Sequence, residues 1–212
     1  MYQPPHFRED RRDVQHALIK AHSLGLLITA GPKGLQANFV PFLIDAQTSD
    51  NGTLRAHVAR ANPQLRELSL VEECLVVFQG PQAYVSPSLY PSKRETGKVV
   101  PTWNYITVQA WGRPQVMDDA TWIRGQIEDL TRHKEAERDA PWAVTDAPDT
   151  FLVSQIKAIV GLEIPIARIE GKWKVSQNRV AADAAGVAQG LRGEGEEADA
   201  VAAAVAERMR SS

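Results

Sequence analysis

Arg60, Asn62 and Pro63 stand close together in the segment Ala59-Arg60-Ala61-Asn62-Pro63, and their types suit the binding of an anion. Asn62 is a good N-cap, and Pro63 suits the first helical position, where a missing N–H costs nothing. A helix starting there offers free backbone N–H groups and a positive dipole end beside a guanidinium, which is a seat for phosphate. His57 lies just upstream. Asn-Pro also begins helices that bind nothing, and Arg60 equally fits an ordinary surface residue, so local chemistry leaves both readings open.

The elements that must position these residues follow from patterning. Leu54, Ala56 and Val58 alternate with Arg55 and His57, the period of a half-buried strand. A short helix is predicted over Pro63–Val71, with Leu65, Leu68 and Val71 inward. Cys74-Leu75-Val76-Val77-Phe78 is a continuous apolar run that suits a buried strand, and Gly80-Pro81 predicts a turn before the next strand at Gln82–Ser86.

A second set of chemical interest lies on the strand predicted over Val99–Gly112. One face carries Trp103, Tyr105, Thr107, Gln109 and Trp111, and the other Asn104, Ile106, Val108 and Ala110. The second face suits a barrel interior. The first suits an interface, a ring-shaped ligand or packing beneath a helix, and an aromatic face on a small barrel is a reason to dimerise. Further on, a strand is predicted over Ile159–Glu170 and a kink at Gly171. The segment Lys172 to Arg179 follows, with Lys172, Lys174 and Ser176 on one face if it stays extended.

The rest of the chain is read in the same way. Asp10 or Asp13 caps a helix with Val14, Ala17, Leu18 and Ala21 inward, followed by a strand at Leu26–Thr29. Gly31-Pro32-Lys33-Gly34 is a hairpin turn, and Leu35–Asp45 a strand whose Pro41 implies an edge or a bulge. Asp118-Asp119 begins an amphipathic helix with Ala120, Ile123, Ile127 and Leu130 inward, and a second helix covers Asp149–Lys157. From Val180 the composition turns to Ala, Gly and Glu, which reads as a helical tail on a mobile hinge. Many short strands with a few helices predict a mainly β fold: an antiparallel barrel over 1–180 with peripheral helices, and a C-terminal helical tail over 181–212.

Composition bounds the function. The 212 residues are 43% hydrophobic and 24% charged, ordinary for a globular protein. A net charge of −2 and a pI near 6.2 give no general electrostatic footprint for nucleic acid. No apolar run approaches the roughly 20 residues that span a membrane. The polar N-terminus has no signal-peptide character, and Cys74 stands alone, so a reduced, cytoplasmic setting is expected. Dinucleotide, Walker and nucleophile-elbow motifs are absent, no helix-turn-helix pair is evident, and the five histidines lack metal-pair spacing. No residue stands out as catalytic or as a metal ligand.

Six blocks carry a resemblance: MYQPPHFRE, LRAHVARANPQ, GPQAYVSPSLY, VVPTWNY, IVGLEI and GKWKVSQNR. In this order they are similar to the signature blocks of the PaiB family, described as FMN-binding negative transcriptional regulators, and the likeness extends from Met1 to Leu191. One position departs, Leu89 standing where the family pattern carries Trp. The resemblance implies an FMN-binding split barrel of the pyridoxamine-phosphate-oxidase type, usually a homodimer with FMN between subunits. It implies that Arg60, Asn62 and His57 lie where the FMN phosphate is held, and that the backbone of Asn38, Phe39 and Val40 lines the isoalloxazine ring. Trp103, Asn104 and Tyr105 then come from the partner, and Lys174, Ser176, Gln177 and Asn178 close over the flavin or its phosphate. Two functions follow. One is a dimeric FMN-binding repressor, with DNA as a partner through the family alone. The other is a flavin-dependent oxidoreductase, with His57, Tyr105 or Arg60 assisting a proton or anion step. A haem-handling variant would use His57 or His133.

Overall fold

In the computed structural model, which describes residues 1–32 and 34–211, the strand β9 (Ile159–Lys174) carries most of the pairing. It contacts β1 (Arg8–Glu9), β5 (Thr53–Ala59), β7 (Thr102–Gly112) and β8 (Gln115–Met117). The remaining strands are β2 (Leu24–Gly31), β3 (Gly34–Pro41), β4 (Leu43–Asp45) and β6 (Cys74–Val85). The hydrogen-bonded order is β3-β2-β6-β7-β9-β5-β4. The fold is mainly antiparallel β with peripheral helices, as the sequence predicts.

The chain divides into two compact units. The first is Met1–Arg11, Gln79–Val108 and Glu170–Ser212; the second is Arg12–Phe78 and Gln109–Ile169. In the second unit, β2 and β3 form the expected hairpin with Gly31 opposite Gly34, whose φ of +95° suits glycine. Lys33 of that turn lies outside the described residues. Pro41 ends the edge strand β3, where no ladder N–H is required. The helix α1 (Arg12–Ala21) buries Gln15, His16, Leu18 and Ile19, so of the apolar face read from sequence only Leu18 is fully inward. His16 turns inward because its Nε2 meets the carbonyl of Asn51 at 2.9 Å.

Three further expectations are corrected. The helix α2 is shorter than predicted, Gln64–Leu68, and buries Gln64, Glu67 and Leu68. Gly80-Pro81 does not turn the chain, because β6 runs on to Val85; β2 pairs with β6 only over Leu75–Val77, so Pro81 lies past that ladder. Gly171 does not break β9 either, being paired with Glu9 of β1. By contrast α5 (Asp149–Lys157) has the predicted bounds, and α4 (Ala120–Glu135) is capped by Asp119, whose Oδ1 accepts from Trp122 N at 2.7 Å.

One sheet face of the second unit is apolar and open. On β2, Leu24, Leu26 and Ile28 stand opposite Pro41, Phe39 and Ala37 of β3. Phe39 is 68% exposed and the neighbouring Leu35 79%. The opposite face of β2, with Leu27 and Thr29, is buried.

In the first unit, α6 (Ala181–Gly190) and α7 (Glu196–Ser211) bury Val187, Leu191, Val201 and Val205. Glu9 accepts from Arg11 Nε at 2.9 Å and from Arg208 of α7. Burial raises its carboxyl pKa, but the two arginines outweigh this and hold it below the usual range.

Packing of α4 against the sheet gives a stability prediction. A Cβ on Gly161 would lie 2.2 Å from the Trp122 ring. Gly161→Val is expected to destabilise the protein by about 1–3 kcal/mol, seen as a lower urea midpoint at unchanged m. An unchanged midpoint would contradict this packing.

Candidate functional site

The sequence-predicted residues fall into two sets, one in each unit. In the second unit, Asn38 on β3 and Asn62 before α2 are joined through Gln64. Asn38 Nδ2 donates to Gln64 Oε1 at 2.9 Å, and Asn62 Oδ1 accepts from Gln64 N at 3.0 Å. Gln64 Nε2 also donates to the Leu27 carbonyl and Thr29 Oγ1, both at 3.2 Å. Asn62 thus braces the turn into α2 from one residue before the cap position, which is Pro63 rather than the predicted Asn62, and the amides of Leu65 and Arg66 donate to the carbonyls of Asn62 and Pro63. Val40 is buried, whereas Phe39 points to the open apolar face, opposite Asn38 and Val40.

Arg60 is engaged by protein atoms. Its terminal nitrogens donate to both oxygens of Asp118, at 3.0 and 2.6 Å, and its Nε donates to the Lys157 carbonyl at 3.1 Å. The pair lies open to solvent, and the guanidinium hydrogen bond holds the Asp118 carboxyl below its ordinary pKa. His57 Nδ1 meets Gln126 Oε1 at 2.7 Å. Gln126 is fully buried, with its Nε2 lacking a partner among the described residues.

In the first unit the structure brings together two blocks that lie about seventy residues apart in sequence. Asn104 Nδ2 donates to Ser176 Oγ at 2.9 Å, both residues being buried. Lys174 Nζ donates to Thr102 Oγ1 at 2.6 Å and to the Trp103 carbonyl. Gln177 closes its own turn, accepting from Val175 N and donating to the Trp173 carbonyl. Ser176 sits at φ +66°, a left-handed conformation that is costly for a non-glycine residue and is held here by that network. Asn178 is exposed.

Charge in this set is one-sided. Lys172 Nζ lies 5.1 Å from the Tyr105 ring centroid and 5.6 Å from that of Tyr2, and donates to the Tyr2 carbonyl. Lys174 Nζ lies 5.9 Å from Tyr105, and the Arg179 guanidinium 4.7 Å from Tyr90. Among the described residues none of these three cations has a carboxylate ion-pair partner. Burial pushes the Lys174 pKa down, and the charges of Lys172 and Arg179 push it further. Beside them Trp103 is 49% exposed and meets Tyr84 edge-on at 5.8 Å. A cleft of about 230 Å³ is lined by Trp103, Tyr105, Gln79, Gln82 and Thr107. A half-open aromatic wall next to unneutralised cations suits a ligand with a flat ring and negative charge. A larger groove, about 460 Å³, between α4 and residues 141–145 holds none of the predicted residues.

The comparisons with known proteins bear on the fold and the cofactor. The family described as "Putative FMN-binding domain" matches residues 1–168. "Protease synthase and sporulation protein PAI 2" of Bacillus subtilis is 30% identical, over 92% of this chain and 90% of its own. The chain belongs to this FMN-binding family. An uncharacterized protein of Emericella nidulans is 37% identical over 90% of each chain. Among solved structures, the FAD and heme binding protein from Mycobacterium smegmatis superposes with a TM-score of 0.58 at 16% identity, covering 79% of this chain and 73% of that one. The flavocytochrome Anf3 from Azotobacter vinelandii gives 0.56 at 13% identity, covering 79% and 69%. The likeness to the PaiB family therefore holds, the fold is the split β-barrel, and the cofactor is FMN. When bound, a flavin ring would supply any redox chemistry, and the protein would bind and orient it.

Sequence reasoning missed several partners. Gln64 and Gln126 are polar residues on inward helical faces, where apolar periodicity does not look. Lys172 and Arg179 flank the predicted block and were legible only as a basic stretch. Among the described residues no group of three or more metal-ligating side chains occurs, and no helix is long and apolar enough to cross a membrane.

Cys74 illustrates a residue outside this chemistry. It is buried, its Sγ lies 3.4 Å from the Gly112 carbonyl, and burial raises its thiol pKa to about 12. A thiol reagent at pH 8 is expected to leave the folded protein unlabelled and to label it fully in denaturant. Rapid labelling of the folded state would contradict the burial.

Proposed function

We propose that the protein is a homodimeric FMN-binding regulator, in which the cofactor lies against Trp103 and Tyr105 and its phosphate is met by Lys174 and Arg179. The observation that carries this reading is the cation cluster of Lys172, Lys174 and Arg179, which has no carboxylate ion-pair partner among the described residues and stands beside an open aromatic wall. Asn104, Ser176 and Gln177 act by holding the turn that presents Lys174, and Asn178 stands exposed at its end. Asn38 and Asn62 brace the start of α2 through Gln64.

The regulatory half of the proposal draws on the PaiB resemblance and on the sporulation protein among the relatives. A net charge of −2 gives no general attraction to DNA, so the output is proposed to run through a protein partner. A second reading, a flavin-dependent oxidoreductase, is favoured by the flavin and haem proteins among the structural neighbours. Steady oxidation of NADH or NADPH by the FMN-loaded protein would move that reading to the front.

The dimer is proposed to form through the open face of β2 and β3, because an apolar sheet face of this kind needs cover. Phe39→Asp is expected to convert a 46 kDa-class species (about twice the 23.3 kDa chain) into a monomer in sedimentation. A wild type that sediments only as a monomer would contradict the dimer.

The cofactor contact is tested by titrating FMN and riboflavin in parallel, since only FMN carries phosphate. Lys174→Gln is expected to weaken FMN by about tenfold or more and to leave riboflavin unchanged, the loss of one charge-assisted contact. Equal loss of both ligands would overturn the phosphate contact. The same titration of Arg60→Ala reads whether the solvent-exposed Asp118 pair opens to receive an anion; unchanged FMN affinity would remove Arg60 from the site.

A further inference from the structure

The C-terminal helices lie beyond the stretch matched by the family, which ends at residue 168. They are nevertheless part of the first unit and bury a row of valines there. We infer that the α6–α7 hairpin is a positioning device for the cation cluster: α6 grips the Leu89–Ser92 turn, and that turn holds Arg179 in place through the Tyr90 ring. The inference rests on the phosphate reading of the cluster given above.

Three contacts make the grip. Gly186 and Gly190 are one turn apart on α6 and share a face. A Cβ on Gly186 would lie 2.2 Å from the Leu89 carbonyl oxygen, and one on Gly190 would lie 2.4 Å from Leu89 Cδ2. The turn therefore packs directly on helix backbone, which only glycine permits. Glycine inside a helix costs about 1 kcal/mol against alanine, so two of them are a real expense that the close approach offsets. Asp183, one turn earlier, is buried; its Oδ1 accepts from Ser92 N at 3.1 Å and its Oδ2 from Ser92 Oγ at 2.7 Å.

Tyr90 lies between these two anchors and is buried. Its ring supports the Arg179 guanidinium at 4.7 Å, and Arg179 stands two residues before α6 begins. The same helix thus fixes the ring and the chain that carries the guanidinium resting on it. Burial lowers the proton affinity of Lys174, and the charges of Lys172 and then Arg179 add to that. Leu89 is the side chain that fills the space over Gly190. Its role here is to dock the turn on α6.

A knob-and-hole exchange tests this. Gly190→Val fills the hole, and is expected to lower FMN affinity about tenfold while riboflavin affinity stays unchanged. Adding Leu89→Ala to that variant makes room again and should restore most of the FMN affinity. A folded Gly190→Val protein with an unaltered FMN-to-riboflavin ratio would overturn the inference, as would equal loss of both ligands or no rescue by Leu89→Ala. If Gly190→Val does not fold, Asp183→Asn is measured instead, with the same selective loss of FMN expected and an unaltered ratio counting against the grip. Arg179→Gln separates the two layers. An unchanged ratio in that variant sinks the phosphate reading itself, whereas a lowered ratio there with no effect of Gly190→Val or Asp183→Asn sinks only the role of the tail.

Discussion

Positive charge drawn partly out of water, with no counter-ion among the described residues, is the constraint around which the first unit is arranged. Burying an ammonium is unfavourable unless its charge is answered. Here the answer is partial: carbonyls of Tyr2 and Trp103, the hydroxyl of Thr102, and the faces of Tyr2 and Tyr105. Each is a dipole or a quadrupole and none is an anion; burial lowers the proton affinity of Lys174, and the neighbouring charges of Lys172 and Arg179 lower it further. A dianionic phosphate would answer that charge. The buried Asn104–Ser176 bond, the left-handed Ser176 and the self-closed Gln177 are then the supports that keep the cluster from relaxing into solvent.

Much of the scaffold was legible in the sequence, because strand alternation and turn chemistry are local. Asn104, Ile106, Val108 and Ala110 of β7 are all buried, as the period of two requires, while Trp103, Tyr105 and Trp111 face outward or half outward. Pro41 marks a sheet edge, and Asp119 caps its helix. Gly80-Pro81 misled for a physical reason. A residue pair that permits a turn does not impose one, and β6 carries the proline past the end of its ladder with β2.

The site was legible only as separate fragments. Nothing local in Trp103-Asn104-Tyr105 announces that Lys174 and Ser176 will meet it, since that pairing comes from strands distant in sequence; the family resemblance named both blocks but put the first on a partner subunit, and the contact within one chain was not foreseen. The amide partners Gln64 and Gln126 were hidden because an inward glutamine looks like noise in an apolar pattern, although each makes the bond that fixes a predicted residue. Arg60 shows the converse. Its type and position left an anion seat and an ordinary surface residue both open, and the fold gives it Asp118, a partner fifty-eight residues on that no spacing rule would find.

The deciding question is whether FMN reaches the cluster of the first unit. Amide hydrogen exchange, compared with and without saturating FMN, reads this directly. Slowed exchange over residues 102–105 and 172–179 is the predicted result. Exchange there that is unmoved by a cofactor shown to be bound would contradict the account and place the flavin elsewhere on the chain.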